Sequence, residues 1–357
     1  MPPLSVTVET DLALLADDYA ELFADSSASA FAHPIWLQAF FGRLAPARGA
    51  SPVIIAVRDG DGRLQAVLPL IRRSKSGVTL LESHDLGVSD YAAPVVRSGF
   101  LPDAGLRGRI AASLPAHDIL RIRPVREEVV QIWTALLDVA PRRLDFSAHA
   151  AELPASLEDW RAAALDVSFA RYLDKKKKRF FKSAGAALRL LVDDAEIRRA
   201  IASIQTGRAG RFEGDLIQDD RVRDFYAEVA VEGARNGFAR TYALSFDGGD
   251  IGHVFGVTHN GRFHYLLIAC DYENHGRHSP GLILYDGMIA DWIAADGKVF
   301  DFTIGDEPFK SDFGTRPTAM FELRRLPTWR GRLAQAAFEA REQLKRLRQA
   351  RPARTAS

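Results

Sequence analysis

A single cysteine, Cys270, serves the whole 357-residue chain, which excludes an intrachain disulfide framework and a cysteine-rich zinc site. Long apolar runs are missing as well: no window reaches the roughly 18 uninterrupted apolar residues of a membrane span. The opening Met1-Pro-Pro-Leu-Ser has no basic stretch ahead of an apolar run, so no secretory signal is expected. Charge of one sign is also lacking. A net charge of +1 gives no global pull toward nucleic acid or anionic lipid, and DNA is not an expected partner. Metal motifs are scarce. His275 and His278, with Asp271 and Glu273, imitate a metal site, but no helical histidine pair or CxxC supports it, and no metal is expected. What is present is ordinary: 47% apolar and 26% charged residues, enough for two domains that each bury a core. A cytoplasmic protein is expected.

The order of elements is informative. Helical periodicity covers Asp11 to Phe23 and Pro34 to Leu44. Val53–Val57 and Leu64–Ile71 flank an Asp-Gly turn and read as a hairpin. Val78–Leu81 reads as a strand, Leu106–Leu114 as a helix, Ile119–Arg123 as a strand and Glu127–Val139 as a helix. Residues 141–165, with prolines at 141 and 154 and little periodicity, read as a connector. The order then returns: helices over Ala195–Thr206 and Asp220–Asn236, a hairpin around Asp247-Gly-Gly-Asp250, a strand and a crossover helix. Residue identity between the halves is slight, so the repeat is structural.

The stretch from Phe263 to Lys310 is the richest. An apolar strand to Cys270 leads through a polar loop into Ser279-Pro280-Gly281, a helix to about Ala295, and a second strand over Val299–Ile304. Ser279 suits an N-cap and Pro280 the first helical position. The amides behind them, through Leu282, would favour an anion, phosphate above all. The pattern predicts a βαβ unit with a phosphate seat beside the strand ends.

Five stretches carry a resemblance: Pro34-Ile-Trp36 with Phe40; Gly87-Val-Ser-Asp90-Tyr91 with Pro94; Lys178-Arg179 through Gly185; Ser279-Pro-Gly281; and Asp301-Phe-Thr-Ile-Gly305-Asp-Glu307 with Phe309-Lys310. In this order they resemble the CelD/BcsL-like acetyltransferases of the GNAT (GCN5-related N-acetyltransferase) superfamily, related in architecture to the Fem peptidyltransferases. The resemblance implies an α/β fold of two tandem GNAT-like lobes, each a twisted mixed sheet, spanning 1–165 and 166–328, with a basic helix and tail over 329–357. It also implies N-acyl transfer, with acetyl-CoA as co-substrate and an amino sugar or other amine of exopolysaccharide or cell-envelope synthesis as acceptor. One departure stands out. The superfamily's Gln/Arg-x-x-Gly-x-Gly/Ala loop is replaced by Arg277-His-Ser-Pro-Gly-Leu282, so coenzyme A is implied by resemblance and only permitted by the residues.

Acyl transfer to an amine needs a base for the ammonium and donors for the developing oxyanion. By position, Asp271 at the end of the donor strand is the first base candidate, its alternative being a turn carboxylate with local bonds. His253 and Glu307 are further catalytic candidates, His253 being weighed against an ordinary strand histidine. Ser279, Pro280, Gly281 and Leu282 are the expected donor seat. Asp90, Tyr91, Asp301, Asp306 and Lys310 are acceptor-side candidates, with Lys310 alternatively neutralising buried acids. Cys270 reads as a small buried hydrophobe.

Two basic segments remain. The run Lys175–Lys182, including Lys176, Lys178 and Arg179, is an anion-binding patch or a solvated helix face. From Arg324 to Ser357 ten Lys/Arg, Arg325 and Arg330 among them, stand against Glu339 and Glu342, a net of +8. Leu333, Ala337, Ala340, Leu344 and Leu347 share one helical face there. Such a helix can lie on an anionic membrane, bind an anionic nucleotide, or pack on the second lobe. The alternative function is therefore a catalytically weak GNAT-like effector or scaffold that binds a cyclic dinucleotide or a membrane-associated synthesis complex. Aminoacyl transfer from tRNA is a third.

Overall fold

The computed structural model describes residues 4–349, with side chains excepted at 342 and 344–349. Thirteen strands form one mixed sheet: β1 (Ser5–Glu9), β2 (Ser51–Arg58), β3 (Leu64–Lys75), β4 (Val78–Ser83), β5 (Val95–Val96), β6 (Ile119–Arg126), β7 (Ala140–Glu152), β8 (Ala187–Leu191), β9 (Ala239–Phe246), β10 (Gly249–His259), β11 (Arg262–Cys270), β12 (Val299–Ile304) and β13 (Arg316–Arg325). Their order is β1-β2-β3-β4-β6-β13-β7-β12-β11-β10-β9-β8, with β5 paired to β3. The expected α/β architecture and its repeat are present. Each half has an antiparallel hairpin (β2–β3, β9–β10) and a parallel pair joined across a helix: β4 and β6 across Leu106–Ser113, β11 and β12 across Pro280–Ala294.

The expected connector over 141–165 is wrong. It holds the thirteen-residue β7 and a helix at Leu157–Ala164. β7 lies between β12 and β13, and β13, from the end of the chain, lies between β7 and β6. A segment of the first half thus completes the second half's sheet, and the reverse. The sheet runs unbroken past residue 165. β7 was illegible because its sequence, Ala-Pro-Arg-Arg-Leu-Asp-Phe-Ser-Ala-His-Ala-Ala-Glu, has little two-residue alternation; a strand flanked on both sides gains its stability from neighbours.

The halves also share a core. Trp36, fully buried on Pro34–Ala39, meets Phe225 of the Asp220–Arg235 helix edge to face at 5.0 Å between ring centroids. Its indole N–H donates to Ser89 Oγ (3.2 Å), and Ser89 Oγ donates to the His84 carbonyl (2.9 Å). The Trp133 indole holds the next turn through the Ala92 carbonyl (3.1 Å). Two tryptophans therefore fix the loop that carries Asp90 and Tyr91.

Candidate active site

β11 and β12 pair only at residues 262–264 with 299–301 and then splay apart. At the same level β11 bulges: Tyr265 faces Gly256 and Leu267 faces Phe255, so Leu266 is extra. On the β12 side Thr303 has φ +58°, strained for a β-branched residue. The Asp301 carboxylate holds that strain by accepting the Thr303 N–H (2.8 Å), and the Thr303 hydroxyl donates to the Tyr265 carbonyl (3.1 Å).

The gap opens into a cavity of about 590 Å³. Its walls include β11 from Tyr265 to Cys270, Thr303, Glu307 and Lys310 after β12, and Asp90 from the first half. Burial pushes the Asp90 carboxyl up to about 7; the charges of Asp85 and Asp301 add to the rise, and the Thr303 hydroxyl and Lys310 oppose it. A carboxyl poised there is half ionised at neutral pH and suits a proton acceptor. Tyr285 donates to the Tyr265 hydroxyl (3.1 Å), and Tyr265 borders the cavity. Arg208 and Arg211 reach the Ile268 and Cys270 carbonyls (3.3 Å each) and line the same space.

Asp301 is wholly buried and lies between the two halves. It accepts from the Tyr91 hydroxyl (2.8 Å), Arg262 (3.0 Å) and Arg126 (3.3 Å). It is thus a positioning group beneath Thr303, and Tyr91 orients it from the opposite lobe. Lys310, 2% exposed, donates to the carbonyls of Ile304 (2.8 Å) and Gly305 (2.9 Å) and to Glu307 (2.9 Å). The Thr303 carbonyl is a fourth, longer contact (3.4 Å), so Lys310 ties down the strand exit and engages Glu307. Lys310→Met would strand the part-buried carbonyls of Ile304 and Gly305 and is expected to cost about 1–3 kcal/mol in chemical denaturation. Gly305 has φ +108°, and a Cβ there would stand 2.7 and 2.9 Å from the Glu307 carboxylate oxygens. Gly305→Ala is expected to lose about 1–3 kcal/mol by the same measurement, from backbone strain and a displaced Glu307.

Other expected residues lie elsewhere. Asp271 caps the short helix Tyr272–His275, accepting from the Asn274 N–H (3.0 Å) and side-chain amide (2.9 Å), bonds that hold its carboxyl below the usual range. A carboxylate so engaged is a weak base, and its local-turn reading prevails. It borders a second cavity of about 870 Å³ with His253, whose Nε2 lies 3.5 Å from the Asp250 carboxylate and whose burial lowers its pKa. The two cavities meet at Arg211, Ala269, Cys270 and Tyr272. Asp306 is outside both, accepting from His149 Nε2 (2.8 Å) and pinning the end of β7. Cys270 is a buried thiol pushed up to about 12 by burial, the hydrophobe expected.

The donor seat needs correction. Ser279 occupies the N-cap position but is left-handed (φ +55°), and its side chain caps nothing. The N–H groups of Leu282 and Ile283 both go to the Ser279 carbonyl (3.0 and 3.3 Å). Pro280 and Gly281 are buried, and a Cβ on Gly281 would collide with the Tyr272 hydroxyl. Residues 279–282 line neither cavity. As arranged, this helix start does not fit a pyrophosphate. Beside it, Tyr172 pairs with Ser279 Oγ (3.3 Å) and Lys176 donates to the Arg277 carbonyl (2.7 Å). Lys178 and Arg179 are exposed on the Val167–Phe180 helix. Lys177 and Arg161 both clasp the buried Asp286 of the crossover helix, so part of the basic run is structural. Arg325 pairs with Asp138 (3.3 Å), and Arg330 donates to the Gly77 carbonyl. Among the described residues, no three His, Cys, Asp or Glu side chains are grouped to hold a metal, and no helix is long and apolar enough to cross a membrane.

Sequence reasoning missed Thr303, Tyr285, Arg208, Arg211 and Arg262. Thr303 lies inside a quoted motif, but nothing in its type announces a left-handed backbone.

Residues 167–311 match the family described as Acetyltransferase (GNAT) domain. No curated protein matches the chain in sequence. Among solved structures, FemX aligns over 86% of this chain and 95% of its own, at 12% identity and TM-score 0.60. The C-terminal domain of a protein described as a lysylphosphatidylglycerol synthetase from Agrobacterium fabrum covers 92% of this chain and 96% of its own, at 10% identity and TM-score 0.57. L-PGS from Bacillus licheniformis covers 90% and 94%, at 12% and 0.53. Residues 167–311 of this chain thus match a GNAT acetyltransferase domain, within an overall fold like that of FemX.

Proposed function

We propose that the chain transfers an acyl group to an amine of a cell-envelope or exopolysaccharide precursor, with chemistry in the splay between β11 and β12. One observation carries this: Asp90-Tyr91 and Asp301–Lys310, some 210 positions apart in sequence, converge on the gap, with Tyr91 bonded to Asp301. Asp90 takes a proton from the acceptor's ammonium, and the freed amine attacks the acyl carbon. Main-chain N–H groups at the β11 bulge face the negative charge that grows on the acyl oxygen. As the carbon–donor bond breaks, the Tyr265 hydroxyl, to which Tyr285 donates, gives its proton to the leaving group, and the second proton shed by the new amide nitrogen restores Tyr265.

Acetyl-CoA is the first donor to test; when bound it would supply the activated thioester. The covered helix start at 279–282 favours a second reading, in which the acyl group arrives on another carrier, as the likeness to lysylphosphatidylglycerol synthetases suggests. A thiol-release assay with acetyl-CoA and a panel of amino sugars separates the two. Turnover that needs the amine supports acetyl transfer. No turnover there, with transfer from aminoacyl-tRNA, supports the second donor. No transfer from either contradicts acyl transfer and favours a catalytically weak effector.

A further inference from the structure

The C-terminal helix, Trp329–Gln349, is mounted with its apolar side outward. At 100° per residue Trp329, Leu333, Ala337 and Ala340 fall within an arc of about 80°. All four are exposed, Trp329 by 73% and Leu333 by 64%. The opposite side does the anchoring: Gly331 is buried against the Asp118 carbonyl, and Gln335 and Glu339 face the sheet. Glu339 is held by Arg324 and Arg142 (3.2 Å each), and Thr328 bonds Asp118 (2.7 Å) ahead of the first turn. A helix packed only for its own stability would turn the other way, since apolar burial drives such packing.

The arc is edged with cations. Arg332 flanks one side and Arg330 and Arg341 the other, while Glu339 points back to the sheet. The sequence beyond adds Lys345, Arg346, Arg348, Arg351 and Arg354 against Glu342 alone. A tryptophan-led apolar stripe between rows of arginine matches a surface that is flat, apolar beneath and anionic above. A protein groove would ask for large anchors at each turn, where this stripe has Ala337 and Ala340. A nucleotide would ask for a concave site, and none of the cavities described above includes these residues.

We infer that this helix docks the protein onto an anionic lipid surface, with Trp329 and Leu333 entering the interface and the flanking arginines meeting headgroups. That places the acyltransferase domain beside a membrane, where a lipid-linked amine would be presented to it.

The test uses the full-length protein without any acyl donor, so its failure leaves acyl transfer untouched. Co-sedimentation is measured with phosphatidylcholine vesicles and with vesicles also containing phosphatidylglycerol. Binding is expected only to the latter and should weaken as salt rises. The double variant Trp329→Ser/Leu333→Ser should lose about tenfold or more in partitioning, as expected for removing two interfacial apolar groups, with an unchanged melting temperature. Arg332→Glu/Arg341→Glu should lose the preference for phosphatidylglycerol. Absence of vesicle binding, equal binding to both vesicles, or unaltered binding by the apolar variant overturns the inference. So does self-association or cyclic-dinucleotide binding that the apolar variant abolishes while vesicle binding persists.

Discussion

Asp90→Asn is expected to lower kcat/KM for acyl transfer by about 10²–10⁴-fold, the usual worth of a general base. The wild-type rate should rise with pH through about 7, where burial has moved this carboxyl, and the variant should lose that rise. Stability should go the other way. The folded carboxyl titrates near 7, and the unfolded one near ~3.9. Between those values the unfolded chain gives up a proton that the folded protein keeps, so stability falls as pH climbs from about 4 to about 7, and the loss is complete above that. Asparagine removes the penalty. At pH 8 the variant should melt no lower than wild type, and at pH 4 the two should differ little. An inactive variant with full stability is the mark of a functional acid; loss of both together would make Asp90 structural.

The second large effect falls on Asp301. Asp301→Ala removes a wholly buried carboxylate that neutralises Arg262 and Arg126 and props a left-handed Thr303. Deleting one partner of a buried charged network costs about 3–5 kcal/mol, read as a lower urea midpoint. Asp301→Asn keeps an oxygen for the Thr303 N–H and should lose less. Its residual activity should fall further than its stability, because Thr303 would present its hydroxyl less rigidly to Asp90 and Tyr265. Equal, small effects from both variants would show that the network spans the lobes without shaping the cavity.

Much of this was legible in the chain. The hairpins around Asp59–Gly62 and Asp247–Gly248, and the βαβ unit from β11 to β12, follow from turn chemistry and periodicity that local sequence controls. The motif holding Asp90 and the one holding Lys310 were both singled out, but their meeting was not readable. It depends on β7 and β13 exchanging places across the halves, a choice made by long-range pairing. The surroundings of the expected base were unreadable for the same reason. Asp271 looked right by position along the chain, and only folding shows its oxygens spent on Asn274. Ser279 looked like a cap because serine favours caps; its left-handed backbone turns the hydroxyl toward Tyr172 instead. Of the C-terminal stripe, Leu333, Ala337 and Ala340 are exposed on one face, while the side chains of Leu344 and Leu347 lie outside the described residues; the outward mounting follows from the tether of Glu339 to Arg324 and Arg142.

The most direct measurement is a crystal structure with a non-transferable acyl-donor analogue bound. The acyl carbonyl should lie in the gap between Tyr265 and Thr303, its oxygen about 3 Å from a main-chain N–H at the β11 bulge, with Asp90 on the acceptor side. An acyl group found instead beside His253 and Asp271, with the gap filled by protein side chains, would contradict chemistry at the splay.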